Sequence, residues 1–136
     1  MSATLALRIA SLTSLLFSVG HIIGGLKKWS PMGDNEVLKA MTDARFNVMG
    51  QSRSYLDFYL GFGWSIAVAM LLQSVLLWQM ASIARTNAVQ VRPMIAMFAG
   101  ATLISGLIAW QFIFPIPAAC SGILFIVLVA TYFTAR

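Results

Sequence analysis

Four long apolar stretches dominate this chain of 136 residues. They run Leu5–Leu26, Leu56–Met80, Pro93–Phe114 and Ile116–Thr134. A helix needs about 20 mainly apolar residues to cross the hydrocarbon of a bilayer, and each stretch has about that length. The sequence therefore predicts one integral membrane domain over residues 1–136, an all-α, polytopic four-helix bundle.

The composition excludes several classes of protein. Hydrophobic residues make up 60% of the chain and charged residues 10%, whereas a soluble domain has about 25% charged residues. The net charge of +5 comes from scattered Lys and Arg, without the basic stripe that nucleic-acid binding requires. A single Cys and a single His argue against zinc or haem. We therefore expect membrane lipids as partners, and no metal, cofactor or nucleic acid.

The first connection, Lys28–Ser54, is long and patterned. Ser30–Gly33 has the composition of a turn, after which Asp34 is placed to cap a helix with Glu36 in its first turn. Four apolar residues then share one face at helical spacing: Val37, Leu38, Met41 and Val48. The pattern predicts an amphipathic helix within Asp34–Val48, packed over one end of the bundle. An ordered surface loop with one helical turn is the alternative.

The other two connections are short. The segment Ala81–Arg92 is basic and has no acidic residue, which favours the cytoplasmic side under the positive-inside rule. Pro115 ends the third stretch and Pro117 suits the first turn of the fourth, so these two helices should form a tight antiparallel hairpin. Four spans place both termini on one side. We expect that side to be cytoplasmic, at the inner or plasma membrane if the chain is bacterial.

The first stretch carries a polar stripe on one side of a helix. Its members are Thr4, Arg8, Ser11, Ser14, Ser18, His21 and Gly25, three or four residues apart. A polar group that faces lipid costs free energy, so the stripe should face protein. Small and hydroxyl residues are usual at close helix contacts in membranes, and Gly20-x-x-x-Gly24 adds a second small pair. The stripe predicts either a packing seam or a face that lines a ligand.

Two ionisable residues near the long connection are candidates for chemistry. His21 is the only His, and an imidazole can carry a proton, act as a general base or donate a hydrogen bond near neutral pH. A ring bonded to a Ser or a backbone carbonyl is the alternative. Asp57 is the only acid outside the long connection. It either faces His21 within about 8 Å, with room for a bridging water, or completes a capping box with Ser54; Arg53 is a competing partner.

The segment Gln51–Trp64 is dense in aromatic and small residues. Trp64 lies roughly two turns inside the second stretch, where its indole N–H needs a partner, and Tyr59 and Gly61 precede it. Gly61 leaves room for a close helix or a ligand. Gln73, deeper in the stretch, predicts a bond to a neighbouring helix or to a second copy of the chain. Four other aromatic residues are expected to be interfacial anchors: Trp29, Trp78, Trp110 and Tyr132.

Two motifs carry a resemblance to known membrane proteins. Arg53–Gly63, which reads RSYLDFYLGFG, and Gly20–Gly25, which reads GHIIGG, resemble a group of small four-span bacterial membrane proteins; Trp78-Gln79 fits the same group. This resemblance implies a topology and no activity. The layout also resembles the EXPERA group, which includes sterol isomerases and the sigma-2 receptor, and that resemblance implies a cavity for an apolar ligand. Of the acidic residues that face the cavity in that group, Asp57 is the one counterpart near a span here.

These observations lead to a leading hypothesis and two alternatives. The leading hypothesis is a pocket between the first two spans that binds an apolar or lipid-like small molecule, with Asp34–Val48 as its lid. Its lining residues would be Ser18, His21, Arg53, Asp57, Tyr59, Gly61 and Trp64. One alternative is a non-catalytic assembly partner of another membrane protein or of a second copy, with contacts through Gln73 and the small-residue seams. The other is a small transporter, and the residues leave open whether the chain is an enzyme.

The four predicted spans have a direct consequence for the termini. Single cysteines introduced at positions 2 and 136 should be labelled by an impermeant thiol reagent from the same side of the membrane, because an even number of spans returns the chain to its starting side. Labelling of the two positions from opposite sides would contradict this topology.

Overall fold

A computed structural model describes residues 2–26, 30 and 32–136. Within these residues the chain forms, in order, α1 (Ala3–His21), a π-helical turn (Ile22–Leu26), α2 (Glu36–Asp43), β1 (Arg45–Val48), β2 (Gln51–Ser54), α3 (Tyr55–Ile83), a 3₁₀ turn (Val89–Val91), α4 (Arg92–Phe112) and α5 (Pro115–Thr134). Trp29, for which we predict an anchoring role, and Pro31 of the predicted turn lie outside the described residues.

Four helical segments are long and apolar enough to cross a membrane: Ala3–Leu26, Tyr55–Ile83, Val89–Phe112 and Pro115–Thr134. They coincide with the four predicted stretches, so the all-α fold of four long apolar helices is confirmed. The chain divides into two compact units. We call Met1–Phe17 with Leu71–Arg136 the bundle unit, and Ser18–Met70 the hairpin unit.

All four long helices contribute to the core of the bundle unit. Each supplies one large side chain with no exposed surface: Leu7, Leu77, Ile95 and Leu128. Most other buried side chains of this unit are Ala, Ser or Thr, whereas large apolar residues such as Leu16 and Leu107 lie on the outside. Helices that pack within lipid bury small residues because these let two backbones approach closely. The distribution of side chains therefore suits an apolar solvent.

α4 and α5 form the predicted hairpin. Two residues, Ile113 and Phe114, separate them. A Cβ atom on Gly106 would lie 3.3 Å from the Cβ of Ser121, so the two helices are in close contact there. The prediction that Pro115 ends the third span is wrong, because α4 ends at Phe112 and Pro115 is already in the first turn of α5. A first-turn N–H has no helical partner, so a proline there costs no hydrogen bond.

The polar stripe of α1 is buried, as predicted. Ser11, Ser14 and Ser18 are each at most 3% exposed. In the bundle unit, Ser11 Oγ donates to the carbonyl oxygen of Ser74 at 2.8 Å, and Ser74 Oγ donates to the carbonyl oxygen of Ser11 at 2.9 Å. Both hydroxyls are therefore satisfied by the facing helix without water, and the interpretation of the stripe as a packing seam is confirmed there.

The long connection contains a β-hairpin, which the sequence analysis does not predict. β1 and β2 pair antiparallel with Val48 opposite Gln51. Met49 and Gly50 form the turn between them with φ angles of 50° and 80°. Two central residues with positive φ give a turn whose twist suits a hairpin. Val48 therefore lies in a strand, and its assignment to the face of an amphipathic helix is wrong.

The amphipathic helix α2 exists but is shorter than the predicted segment. Asn35, and not Asp34, caps it: the Asn35 Oδ1 accepts from the Leu38 N–H at 3.0 Å. Asn35 has the extended backbone of an N-cap and directly precedes the first helical residue, whereas Asp34 is one residue too early. Val37 is 68% exposed and does not share the half-buried face of Leu38 and Met41.

Two further contacts stabilise this region locally. The predicted turn before α2 is present, because the Gly33 N–H donates to the carbonyl oxygen of Ser30 at 3.1 Å. On the exposed side of α2, Lys39 donates to Asp43 one turn later, and this hydrogen-bonded carboxylate raises the pKa of the lysine.

Candidate functional site

α3 begins with a capping box. The Asp57 N–H donates to Ser54 Oγ at 3.1 Å, and the Ser54 N–H donates to Asp57 Oδ2 at 2.8 Å. These bonds satisfy two N–H groups that the start of a helix leaves without helical partners. The capping interpretation of Asp57 is confirmed. Arg45 approaches the same carboxylate, with Nη2 at 4.0 Å from Oδ2.

His21 contacts the backbone of α3. Its Nε2 lies 3.0 Å from the carbonyl oxygen of Gly63. A carbonyl oxygen can only accept, so Nε2 carries the proton and donates, and Nδ1 of a neutral ring keeps its lone pair. That Nδ1 faces Gly25 in the π-helical turn, 3.6 Å from the place a Cβ atom there would take. The interpretation of His21 as a ring bonded to a backbone carbonyl is confirmed.

His21 and Asp57 therefore have separate partners. Gly63 follows Asp57 by six residues, which is roughly 9 Å along the axis of α3 and about a third of a turn around it. Among residues 2–26, 30 and 32–136, no hydrogen bond or ion pair joins the imidazole to the carboxylate. A proton relay between them has no direct contact to use.

The contact around His21 is closed. Ser18 Oγ donates to the carbonyl oxygen of Ala67 at 3.2 Å, one turn of α3 away from Gly63. A Cβ atom on Gly63 would lie only 2.6 Å from Leu26 Cδ2, so the glycine lets the first span lie directly on α3. Ser18 and His21 hold two helices together here and do not line a cavity.

An open groove of about 330 Å³ lies along the first half of α3. It is lined by Arg53, Asp57, Phe58, Gly61, Phe62 and Ser65. On α3, Asp57, Gly61 and Ser65 form one row at four-residue spacing, and Phe58 and Phe62 form the neighbouring row. These five residues therefore share one face of the helix. That face is roughly opposite the face that carries Gly63 and Ala67. The groove and the His21 contact therefore lie on opposite sides of the same helix.

The groove has a charged end and an aromatic wall. At the charged end, Arg53 donates to the carbonyl oxygen of Ser52 at 2.9 Å and to Gln51 Oε1 at 3.2 Å, beside the carboxylate of Asp57. Along the wall, the ring of Phe58 lies 6.2 Å from that of Phe62, centroid to centroid. Gly61 separates the two features, and nothing lies within 4 Å of the place its Cβ would take.

The hairpin packs against this end of the groove. The Phe46 ring lies 5.3 Å from that of Phe58 and 5.1 Å from that of Tyr55. Through Phe46, and through Arg45 near Asp57, β1 of the predicted Asp34–Val48 lid contacts groove residues.

Of the seven lining residues predicted from sequence, the groove contains Arg53, Asp57 and Gly61. Ser18 and His21 face the helix contact, and Tyr59 and Trp64 lie outside the lining, with Trp64 52% exposed. Sequence reasoning missed Phe58, Phe62 and Ser65, because aromatic residues near a span end are read as an interfacial belt. Their spacing is the signal that would have identified them: Phe58 and Phe62 are four residues apart, and Ser65 follows Gly61 by four.

No family model, curated protein or solved structure matches this chain. Function is therefore inferred from the structure itself: from the groove, the helix contacts and the distribution of charge.

Gly63 and Gly61 offer a matched test of the closed contact. Alanine at either position gains up to about 1 kcal/mol of helix propensity, but at position 63 it must displace Leu26, whereas at position 61 it meets nothing. We expect the Gly61→Ala variant to unfold in detergent at or above the wild-type Tm, and the Gly63→Ala variant at a slightly lower Tm than Gly61→Ala, because the atom that must move is the flexible end of the Leu26 side chain. Equal Tm values for the two variants would show that the helix contact is not closed.

Proposed function

We propose that this chain is an integral membrane protein that binds a phospholipid-like amphiphile in the groove of α3. Four helices long and apolar enough to cross a membrane support the membrane assignment. The observation that carries the ligand is the combination, in one groove, of a charged end at Arg53 and Asp57 with an apolar wall at Phe58 and Phe62.

The position of the groove along α3 suits one leaflet of a bilayer. Asp57 is the third residue of α3, so in a bilayer spanned by α3 its carboxylate would lie near the headgroups. Ser65 lies eight residues further, roughly 12 Å along the axis, which is close to half the hydrocarbon thickness of about 30 Å. A molecule with its head at Asp57 would therefore keep its tail within the same leaflet.

The head of the ligand supplies its specificity. A lipid tail gains little from leaving other lipid tails, because both surroundings are equally apolar. Charged hydrogen bonds at the water–lipid boundary distinguish one head from another. Arg53 offers donors for a phosphate and Asp57 accepts from an ammonium, so a zwitterionic head with both groups matches this end of the groove.

Gly61 allows the tail to reach the helix. A Cβ there would project into open space, so the missing side chain leaves a depression beside Phe58 and Phe62 in which an acyl chain can lie. The ligand would therefore lie on the exposed face of α3. It would not lie between the first two spans, as the sequence predicts, because the contact there is closed.

Occupancy of the groove is testable with lysophosphatidylethanolamine, whose head carries a phosphate and an ammonium. We expect native mass spectrometry of the full chain in a non-ionic detergent to show one tightly bound molecule. The variant Gly61→Leu fills the depression, and Arg53→Gln removes the charge-assisted hydrogen bond to the phosphate, which is worth about tenfold in affinity. Both should lower occupancy.

Matched controls separate the groove from general effects. Gly100→Leu introduces the same side chain at another open helical glycine, and Arg85→Gln removes the same charge outside the groove. Neither should change occupancy. A site in the groove would be contradicted if the wild type and all four variants bound the lysolipid to the same extent. It would also be contradicted if lysolipid occupancy fell equally in the two groove variants and the two controls.

Assembly is a second candidate function, supported by a different surface. Gly20 and Gly24 are exposed, and no other part of the chain that the structure describes lies within 4 Å of the place either Cβ would take. Two glycines one turn apart let a second helix approach closely in a membrane. Gln73 is half-buried and has no hydrogen-bond partner among the described residues, so a second copy or another membrane protein would supply one.

The two candidates differ in oligomeric state. If the glycine surface joins two copies, crosslinking of the full chain in lipid should give a dimer that Gly20→Leu abolishes and that Val19→Leu, the neighbouring exposed position, preserves. A wild-type chain that stays monomeric at all protein-to-lipid ratios would exclude self-assembly and leave the groove proposal untouched.

A further inference from the structure

Charge is distributed unequally along the chain. All four acidic residues, Asp34, Glu36, Asp43 and Asp57, belong to the hairpin unit. The bundle unit has four arginines, Arg8, Arg85, Arg92 and Arg136, and no acidic residue. Its positive charge therefore has no carboxylate within the unit to balance it.

Two of these arginines stack on aromatic rings. The Arg8 guanidinium lies 4.9 Å from the ring centroid of Trp78, and that of Arg92 lies 4.4 Å from the ring centroid of Tyr132. The Nε atoms of both arginines are buried and have no hydrogen-bond partner among residues 2–26, 30 and 32–136. Neither guanidinium takes part in a hydrogen bond or ion pair with the residues that the structure describes.

The two stacked pairs lie at the same end of the bundle unit. Arg8 is near the start of α1, Trp78 near the end of α3, Arg92 at the start of α4 and Tyr132 near the end of α5. Residues beside each of them belong to one buried cluster: Ala3, Leu7, Leu77, Ala81, Val91 and Ala135. The unpaired guanidinium groups therefore share one end of the bundle.

A guanidinium in this position requires an anionic acceptor. Arg8 is five residues inside α1, roughly 8 Å from its start, within a segment apolar enough to span a membrane. A cation at that depth costs free energy unless it is paired. The aromatic ring covers one face of the guanidinium, while its N–H groups lie in the guanidinium plane and leave the two terminal nitrogens available to the oxygens of a phosphate.

We propose that Arg8 and Arg92 bind the phosphate groups of anionic phospholipids at this end of the bundle unit. Trp78 and Tyr132, which the sequence analysis treats as interfacial anchors, hold each guanidinium flat and direct its N–H edge towards the headgroups. The occupant is a bilayer lipid and not free phosphate, because the apolar outer surface of the helices beside both arginines suits acyl chains. This site is independent of the groove on α3.

The test compares phosphatidylglycerol with phosphatidylcholine in mixed micelles of the full chain. We expect phosphatidylglycerol to raise the Tm more than phosphatidylcholine does. Each of Arg8→Gln and Arg92→Gln should weaken phosphatidylglycerol binding about tenfold, because each removes charge-assisted hydrogen bonds to a phosphate. Arg8→Lys and Arg92→Lys keep the charge but lose the planar fork, and should bind at an intermediate level.

Controls distinguish a built site from attraction by net charge and from binding of free phosphate. Arg85→Gln and Arg136→Gln remove the same charge from exposed positions and should bind phosphatidylglycerol as the wild type does. Inorganic phosphate should leave the Tm unchanged. The proposal is overturned by equal weakening in all four Gln variants, by no weakening at Arg8 or Arg92, or by stabilisation with inorganic phosphate alone.

Discussion

The structure depends on how polar side chains are satisfied where water is absent. In the hydrocarbon of a bilayer a hydroxyl or imidazole must bond within the protein, and three such groups of α1 bond the backbone of α3. Ser11 bonds Ser74, Ser18 bonds the carbonyl of Ala67, and His21 bonds that of Gly63. Helical carbonyl oxygens have a second lone pair for this purpose. The hydroxyl-bearing residues of α1 thus define which face of the helix is internal.

This requirement also determines which face of α3 stays open. Because hydrogen bonds and small side chains close the contact between the first span and α3, the open surface is on the opposite face of α3, where Gly61 has no neighbour. Acidic side chains and unpaired arginines also occur in different units of the chain. All four carboxylates occur in the hairpin unit, where Arg45 lies near that of Asp57, whereas the bundle unit presents guanidinium groups stacked on aromatic rings.

Three of the groove residues follow from sequence, and the rest do not. Arg53, Asp57 and Gly61 are conspicuous because charged residues and glycines are rare in apolar stretches. Phe58 and Phe62 are chemically ordinary in a membrane helix, and only the helical spacing joins them to the charged residues. Phe46 cannot be connected to Phe58 without the hairpin, whose turn depends on the positive φ angles of Met49 and Gly50. The side chains of β1 and β2 show no clear alternation that would predict strands.

By itself the amino-acid sequence determined the four apolar helices and the inward face of α1, because each depends on composition or on spacing within one segment. The packing of helices against each other decided the partner of Asp57 and which face of α3 is covered. Whether Asp57 meets His21 or Ser54 depends on the face of α3 that contacts the first span, and both choices agree with the same local pattern. Gly63 and Gly61 differ by only two positions, yet one lies under Leu26 and the other faces open space. Helical periodicity separates their faces, but only the packing of a second helix shows which of the two is covered.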